Sequence, residues 1–232
     1  VFSEYKIPIA SFFLKEAMAE KTNFHQDAMI TDQNSSPSFG IWFSLSDSSI
    51  SNGGIGVVPY SHKMFPPFQS EYIYPPFQNH LELLGEFVQN VHLSSGEAII
   101  MDNRLIHHTG KNNSTSQRNA VVIKIASQHE ELKTIFSNGK KIFVVEQPNN
   151  FYLNSKWINS KFTYQTGRYI GYLNYSPKQF SERTLIEHLQ RKKKNEIILP
   201  ISNYTNEFSV VKSLYYSKFL SKTTFQPNEN FY

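Results

Sequence analysis

Short runs of β-compatible residues, each closed by a turn signal, constrain this chain more than any other feature. Residues 5–13 are largely apolar and include Pro8, which has no amide donor and so suits an edge or entry position. Phe39-Gly40-Ile41-Trp42-Phe43-Ser44-Leu45 forms a second run, and Gly56-Val57-Val58-Pro59-Tyr60 a third, launched from Asn52-Gly53-Gly54. Residues 88–93 alternate loosely, Glu97-Ala98-Ile99-Ile100-Met101 follows a Ser-Gly turn, and residues 119–126 close the series. Short strands at such spacing predict a sandwich or barrel. An aromatic content of 15% favours pleated, half-buried surfaces over a helix bundle.

The organisation changes along the chain. Residues 65–79 are rich in Pro and aromatics and are expected to form a loop or lid, with Phe68, Tyr72, Tyr74 and Phe77 as candidates for a substrate mouth. Beyond about residue 130 one more strand is expected at 141–145, and Ser176-Pro177 opens a helical stretch over 178–194 with apolar Phe180, Leu185, Ile186 and Leu189. Arg191-Lys192-Lys193-Lys194 is then a solvated helix end rather than a nucleic-acid patch. The expected division is a core over 1–150 and a partly helical extension over 151–232.

The chain contains no Cys, which removes disulfides, thiolate metal sites and Cys nucleophiles together. Any metal site must be built from His and carboxylates. No apolar run approaches the roughly 18 residues of a membrane span, and no secretory signal is visible. These features predict a cytoplasmic protein acting on a small molecule, with neither membrane nor nucleic acid as partner.

His25-Gln26-Asp27 supplies the chemistry. Residues two apart on a strand face the same side, so an imidazole and a carboxylate point together into whatever the sheet encloses. One further imidazole from a distant strand would complete two His and one carboxylate on a single face of a metal. That set leaves positions open for a bidentate 2-oxo acid and dioxygen on non-haem Fe(II). The stretch from Ser94 to His107 reads as turn, strand, bend and strand ending in His. Eleven residues further on stands Arg118, whose planar fork suits the distal carboxylate of 2-oxoglutarate and stays charged when buried. Asp102 lies at the bend and lacks a paired His, so it is not expected to be a ligand.

The ordered set His25-x-Asp27, then Asn52-Gly53-Gly54-Ile55-Gly56-Val57-Val58-Pro59-Tyr60-Ser61-His62-Lys63, then Gly96 through Arg118 resembles the phytanoyl-CoA dioxygenase-like group of Fe(II)/2-oxoglutarate oxygenases. The resemblance implies an all-β core with flanking helices, a double-stranded β-helix of jelly-roll or cupin type. It implies His25, Asp27 and His107 as catalytic metal ligands, with His107 preferred to His108. It places Arg118 on the 2-oxoglutarate carboxylate, Thr109 assisting through its hydroxyl and Trp42 beside the co-substrate. Fe(II), 2-oxoglutarate and dioxygen are the implied cofactors, and hydroxylation of a small metabolite or carrier-linked substrate the implied reaction. A β-helix that binds a ligand or metal without turnover is the alternative. Tyr60 stands where that group's turn carries Gly, which opens the turn to a different backbone, and His62 is expected to stabilise that turn.

Overall fold

The computed structural model describes residues 3–33, 36–64, 75–137, 141–153, 167–174, 180–191 and 225–227. Its first sheet is antiparallel in the order β1 (Tyr5–Lys15), β7 (Arg118–Ser127), β2 (Phe39–Ser44), β5 (Ala98–Asp102). Pro8 sits in the edge strand β1, at a register shift between Lys6 and Ile9. There its missing amide breaks no ladder. A smaller sheet runs β4 (Gln89–Asn90), β3 (Ile55–Val57), β6 (His107–Thr109).

The alternation within β2 shows how the two sheets close on each other. Gly40, Trp42 and Ser44 face inward, whereas Phe39, Ile41 and Phe43 belong to an apolar cluster with Ala98, Ile123 and Ile125 on the other face. Trp42, Ile99, Met101 and Ala120 of the first sheet meet Ile55 and Val57 of the second, with Val91 and Leu93 from the segment after β4. Each fully buried aliphatic side chain there contributes about 1.5–3 kcal/mol. The result is a double-stranded β-helix, as the strand spacing and the family resemblance implied.

A further sheet, β11 (Phe225–Pro227), β10 (Arg168–Asn174), β9 (Lys141–Gln147), β8 (Leu132–Ser137), follows β7. It is joined to the first by the cluster of Ile30, Ala126, Leu132, Phe151 and Tyr152. Strands β8, β10 and β11 were not foreseen. Two α-helices occur among the described residues, α1 (Leu81–Glu86) and α2 (Glu182–Arg191). Ser181 caps α2 by accepting the Thr184 amide at 3.2 Å, so the helix begins later than Ser176-Pro177 suggested. Leu185 and Leu189 of α2 pack on Val58, Leu84 and Ile106. Phe77 is in that same cluster at 0% exposed, so it is core and not a lining of the substrate mouth. Phe68, Tyr72, Tyr74 and Lys192 to Lys194 lie outside the described residues.

The Pro59-Tyr60-Ser61-His62 turn keeps a glycine-like backbone despite its tyrosine. Tyr60 adopts φ 68°, ψ −9°, a left-handed conformation that costs a bulky residue about 1–3 kcal/mol. The expectation of a different backbone is therefore corrected. Ser61 explains why the geometry is worth holding. Its hydroxyl donates to Val58 O at 2.7 Å and accepts the Ile106 amide at 2.8 Å, which fixes the chain immediately before His107.

Asn112 performs the corresponding task after β6. It is 0% exposed, its amide donates to Glu16 O at 2.9 Å and Ser116 O at 2.8 Å, and its carbonyl accepts the Ser114 amide at 3.0 Å. These bonds clamp the β6–β7 loop onto the end of β1. Asn112→Ala leaves several buried groups unpaired and is expected to destabilise the fold by about 2–4 kcal/mol, read as a shifted urea midpoint with unchanged slope.

Candidate metal centre and co-substrate pocket

His25 and His107 come together through the backbone before their rings are considered. The two residues form an antiparallel bridge, His25 N to His107 O at 3.0 Å and His107 N to His25 O at 2.9 Å. Two residues on, the Asp27 amide donates to Asn103 O at 2.9 Å. Segment 25–27 therefore runs alongside residues 103–107, which carries the Asp27 carboxylate to the side of both imidazoles.

The tautomers follow from the partners. His25 Nδ1 lies 2.8 Å from Asn23 O, and His107 Nδ1 lies 2.9 Å from Leu105 O. A carbonyl can only accept, so each Nδ1 carries the proton and each Nε2 is left with its lone pair free for a metal. The ring centroids are 4.3 Å apart, and Asp27 Oδ2 lies 3.9 Å from His107 Nε2. One ligand atom from each of His25, Asp27 and His107 falls within 4.8 Å of the others, the only such His/carboxylate cluster among the described residues. That spacing is close to what one ion bound at about 2.0–2.2 Å from each atom requires.

The ionisation states also suit a metal. Burial pushes the Asp27 carboxyl up, but the Lys124 ammonium and the His107 ring outweigh it and hold the group at about 2. Burial, stronger than the attraction of Asp27, brings His107 down to about 4. A neutral imidazole and an ionised carboxylate are the forms in which these side chains ligate.

His108 faces away from this cluster and packs on Phe24, ring centroids 4.6 Å apart, which agrees with the preference for His107. Asp102 is held by Arg104, whose Nε and Nη2 reach its two oxygens at 2.9 and 2.6 Å. It is not part of the cluster.

Arg118 opens β7 and is 0% exposed, yet Nε, Nη1 and Nη2 have no hydrogen-bond partner among the described residues. Its Cζ lies 5.0 Å from the ring of Trp42, whose buried Nε1 is likewise unpartnered. Cation–π contact offsets only part of the desolvation of a guanidinium. These orphaned donors point to an acceptor anion that belongs there. Lys15, paired in register with Arg118, donates to Glu20 O at 2.7 Å and to Thr109 Oγ1 at 3.1 Å. Thr109 Oγ1 also lies 3.2 Å from Thr22 Oγ1. Trp42, Thr109 and Arg118 thus meet at one end of the barrel, together with a second cation that the sequence did not single out.

Residues 6–120 match the model of the phytanoyl-CoA dioxygenase (PhyH) family. Over that span the chain carries that family's domain. The matched phytanoyl-CoA dioxygenase span contains all three clustered residues and Arg118. No curated protein matches the chain. Among solved structures it is similar to AviO1 from Streptomyces viridochromogenes Tue57, with 22% identity over 54% of this chain and 52% of that one, TM-score 0.43. It is also similar to the epimerase SnoN in complex with Fe3+, alpha ketoglutarate and nogalamycin RO, with 19% identity over 55% and 52% of the two chains, TM-score 0.47. EctD from S. alaskensis, with 2-oxoglutarate and 5-hydroxyectoine, shares 18% identity over 56% and 48%, TM-score 0.46. The chain spans about half the length of AviO1 and SnoN. No helix among the described residues is long and apolar enough to cross a membrane.

Two further residues at the cluster escaped the sequence reasoning. Lys124 is 8% exposed, contacts Asp27 Oδ2, and donates to Asn103 Oδ1 at 3.2 Å. Asn103, 1% exposed, in turn donates to Ser38 Oγ at 2.7 Å. The available signal was a charged residue inside the run Val121-Val122-Ile123-Lys124-Ile125-Ala126, in phase with Arg118.

Proposed function

We propose that this chain carries the core of an Fe(II)- and 2-oxoglutarate-dependent oxygenase that hydroxylates a small metabolite or carrier-linked substrate. The observation that carries this proposal is the pairing, inside one barrel, of a His25/Asp27/His107 cluster with a buried guanidinium that has no hydrogen-bond partner among the described residues. His25 Nε2, His107 Nε2 and an Asp27 oxygen would hold the metal; Arg118 would hold the distal carboxylate of 2-oxoglutarate, with Trp42 Nε1 and the Thr109 hydroxyl as adjoining donors. Ferrous iron in such a site supplies dioxygen activation coupled to conversion of 2-oxoglutarate into succinate and carbon dioxide.

The chain's own contribution is preorganisation. Nδ1-to-carbonyl bonds fix both imidazoles, and the bond that the Asp27 amide donates to Asn103 O fixes Asp27. Asp27 in the ligand set supports hydroxylation over halogenation, because halogenating relatives carry a small residue there to admit chloride. A zinc hydrolase would use a similar triad but has no need of the orphaned Arg118.

Anaerobic titration of the iron-loaded protein with 2-oxoglutarate tests the proposal. A weak visible charge-transfer band is expected to grow in and saturate at one equivalent. Folded, iron-loaded protein that develops no band would overturn it.

A further inference from the structure

We infer that Lys124 is the docking point for an anionic group, a carboxylate or its equivalent, on the substrate to be oxidised. This rests on the oxygenase reading above and names the substrate class of that site. Lys124 lies beyond the 6–120 span that matches the family model, so nothing in that match assigns it a role.

The geometry singles it out. Arg118 and Lys124 project from the same face of β7, six residues and about 20 Å of strand apart. Arg118 marks the co-substrate end, and Lys124 touches Asp27 beside the metal cluster. Opposite Lys124 in register stands Gly40, where a Cβ would come 2.9 Å from Lys124 Nζ, 3.5 Å from Asn103 Oδ1 and 3.5 Å from Asp27 Oδ2. The ammonium thus occupies the berth that the missing side chain leaves. The amide of Asn103, anchored through Ser38 to Gln33, stabilises it from behind.

Charge decides what the berth is for. Without metal, Asp27 neutralises Lys124. A ferrous ion adds two positive charges, which Asp27 and the metal-bound carboxylate of 2-oxoglutarate cancel. The distal carboxylate is taken by Arg118. Lys15 keeps its own partners in Glu20 O and the Thr109 hydroxyl, with the Glu20 carboxylate adding attraction at a distance. Lys124 then shares the Asp27 carboxylate with the metal, and its other acceptor is the neutral oxygen of Asn103. Buried charges are found paired, because an unpaired one carries a desolvation penalty of several kcal/mol. An anion supplied by the substrate completes the site. It also fixes the target C–H bond next to the metal, since the berth adjoins a metal ligand. The Asp27 side chain retains 19% exposure, which leaves an approach from solvent on this side.

The test uses protein loaded with Zn(II) and saturating 2-oxoglutarate, so that Arg118 is occupied and no turnover occurs. Hexanoate and its uncharged isostere hexanamide are titrated by calorimetry. Hexanoate is expected to bind about 10- to 100-fold more tightly than hexanamide. Lys124→Met should erase the preference, and Lys124→Arg, which keeps the charge, should retain it. Equal affinities, no saturable hexanoate binding, or a preference that survives Lys124→Met would overturn the inference. So would a Lys124→Met protein that loses 2-oxoglutarate affinity but not hexanoate preference, because Lys124 would then serve the co-substrate. If wild-type protein shows no iron–2-oxoglutarate band, the oxygenase reading fails and this inference with it. A normal band without hexanoate selectivity sinks the inference alone.

Discussion

Arg118→Met is expected to weaken 2-oxoglutarate binding at least about 30-fold and, at the same time, to raise the stability of the ligand-free protein. Both effects come from one observation. The guanidinium is 0% exposed, none of its nitrogens has a hydrogen-bond partner, and burial pulls its pKa down from the ordinary arginine value. A buried charge without its counter-ion is a net cost to folding, and the ring of Trp42 at 5.0 Å offsets only part of that cost. Met fills comparable volume without charge, so the ligand-free protein should gain about 1–4 kcal/mol, visible as a melting temperature higher by several degrees. With 2-oxoglutarate the sign reverses. Truncating one member of a buried, hydrogen-bonded charge pair costs about 2–5 kcal/mol, so affinity should fall by roughly 30- to several-thousand-fold. Wild type should then be stabilised by added metal and 2-oxoglutarate, and the variant by metal alone. A variant less stable than wild type without ligand would mean that Arg118 is a structural residue. Unaltered 2-oxoglutarate affinity would remove it from the co-substrate pocket. Stability withheld from the resting protein and recovered on binding is the pattern expected of a binding group, not of a packing one.

What could be read from the sequence divides along a physical line. Alternation reports the face on which a side chain lies, and His25-x-Asp27 needed no more than that to put ligand types side by side. The apolar runs of β2, β5 and β7 were visible for the same reason, since buried strands must be rich in Ile, Val and Phe. Depth and partner are not written in alternation. Lys15, just past the expected first strand, and Lys124, inside the last, carried no signal until the register set one beside Arg118 and the other beside Asp27. Phe77 read as a loop aromatic because its neighbours are Pro and Tyr, yet tertiary packing with Leu84, Ile106 and Leu185 buries it completely. Tyr60 shows the limit of a local rule. The residue type argued against a left-handed backbone, and the two hydrogen bonds of Ser61 impose one regardless. Strand β8 escaped notice because its signal, Leu132-Lys133-Thr134-Ile135-Phe136, mixes polar and apolar residues on both faces, and its place in the sheet depends on β9.

His107→Phe is expected to lower metal affinity by at least about 1,000-fold and to flatten the acid limb of the ligand-free protein's stability. The first effect exceeds the roughly 10- to 100-fold typical of groups that only orient a ligand, because a donor atom itself is lost. Competition with a chromogenic chelator measures it. The second effect follows from proton linkage. His107 titrates at about 4 in the folded protein, chiefly because it is buried, against an ordinary value of 6.5. Between those values the unfolded chain binds a proton that the folded chain refuses, so unfolding stability rises with pH across that window and is lost as pH falls from 6.5 towards 4. At about 1.4 kcal/mol for each pH unit, the whole window is worth about 3 kcal/mol. Asp27 acts lower. With its carboxyl held at about 2 against 3.8, its contribution is intact above 3.8 and disappears as pH falls towards 2. Urea unfolding of metal-free wild type at pH 7, 6, 5 and 4 should therefore show a progressive loss that His107→Phe lacks. If the variant retained the wild-type slope between 6.5 and 4, His107 would not be the buried neutral imidazole described here. If it retained metal affinity as well, the His25/Asp27/His107 cluster would not be the metal centre. The two measurements bear on one atom, His107 Nε2, whose lone pair the fold keeps unprotonated before any metal arrives.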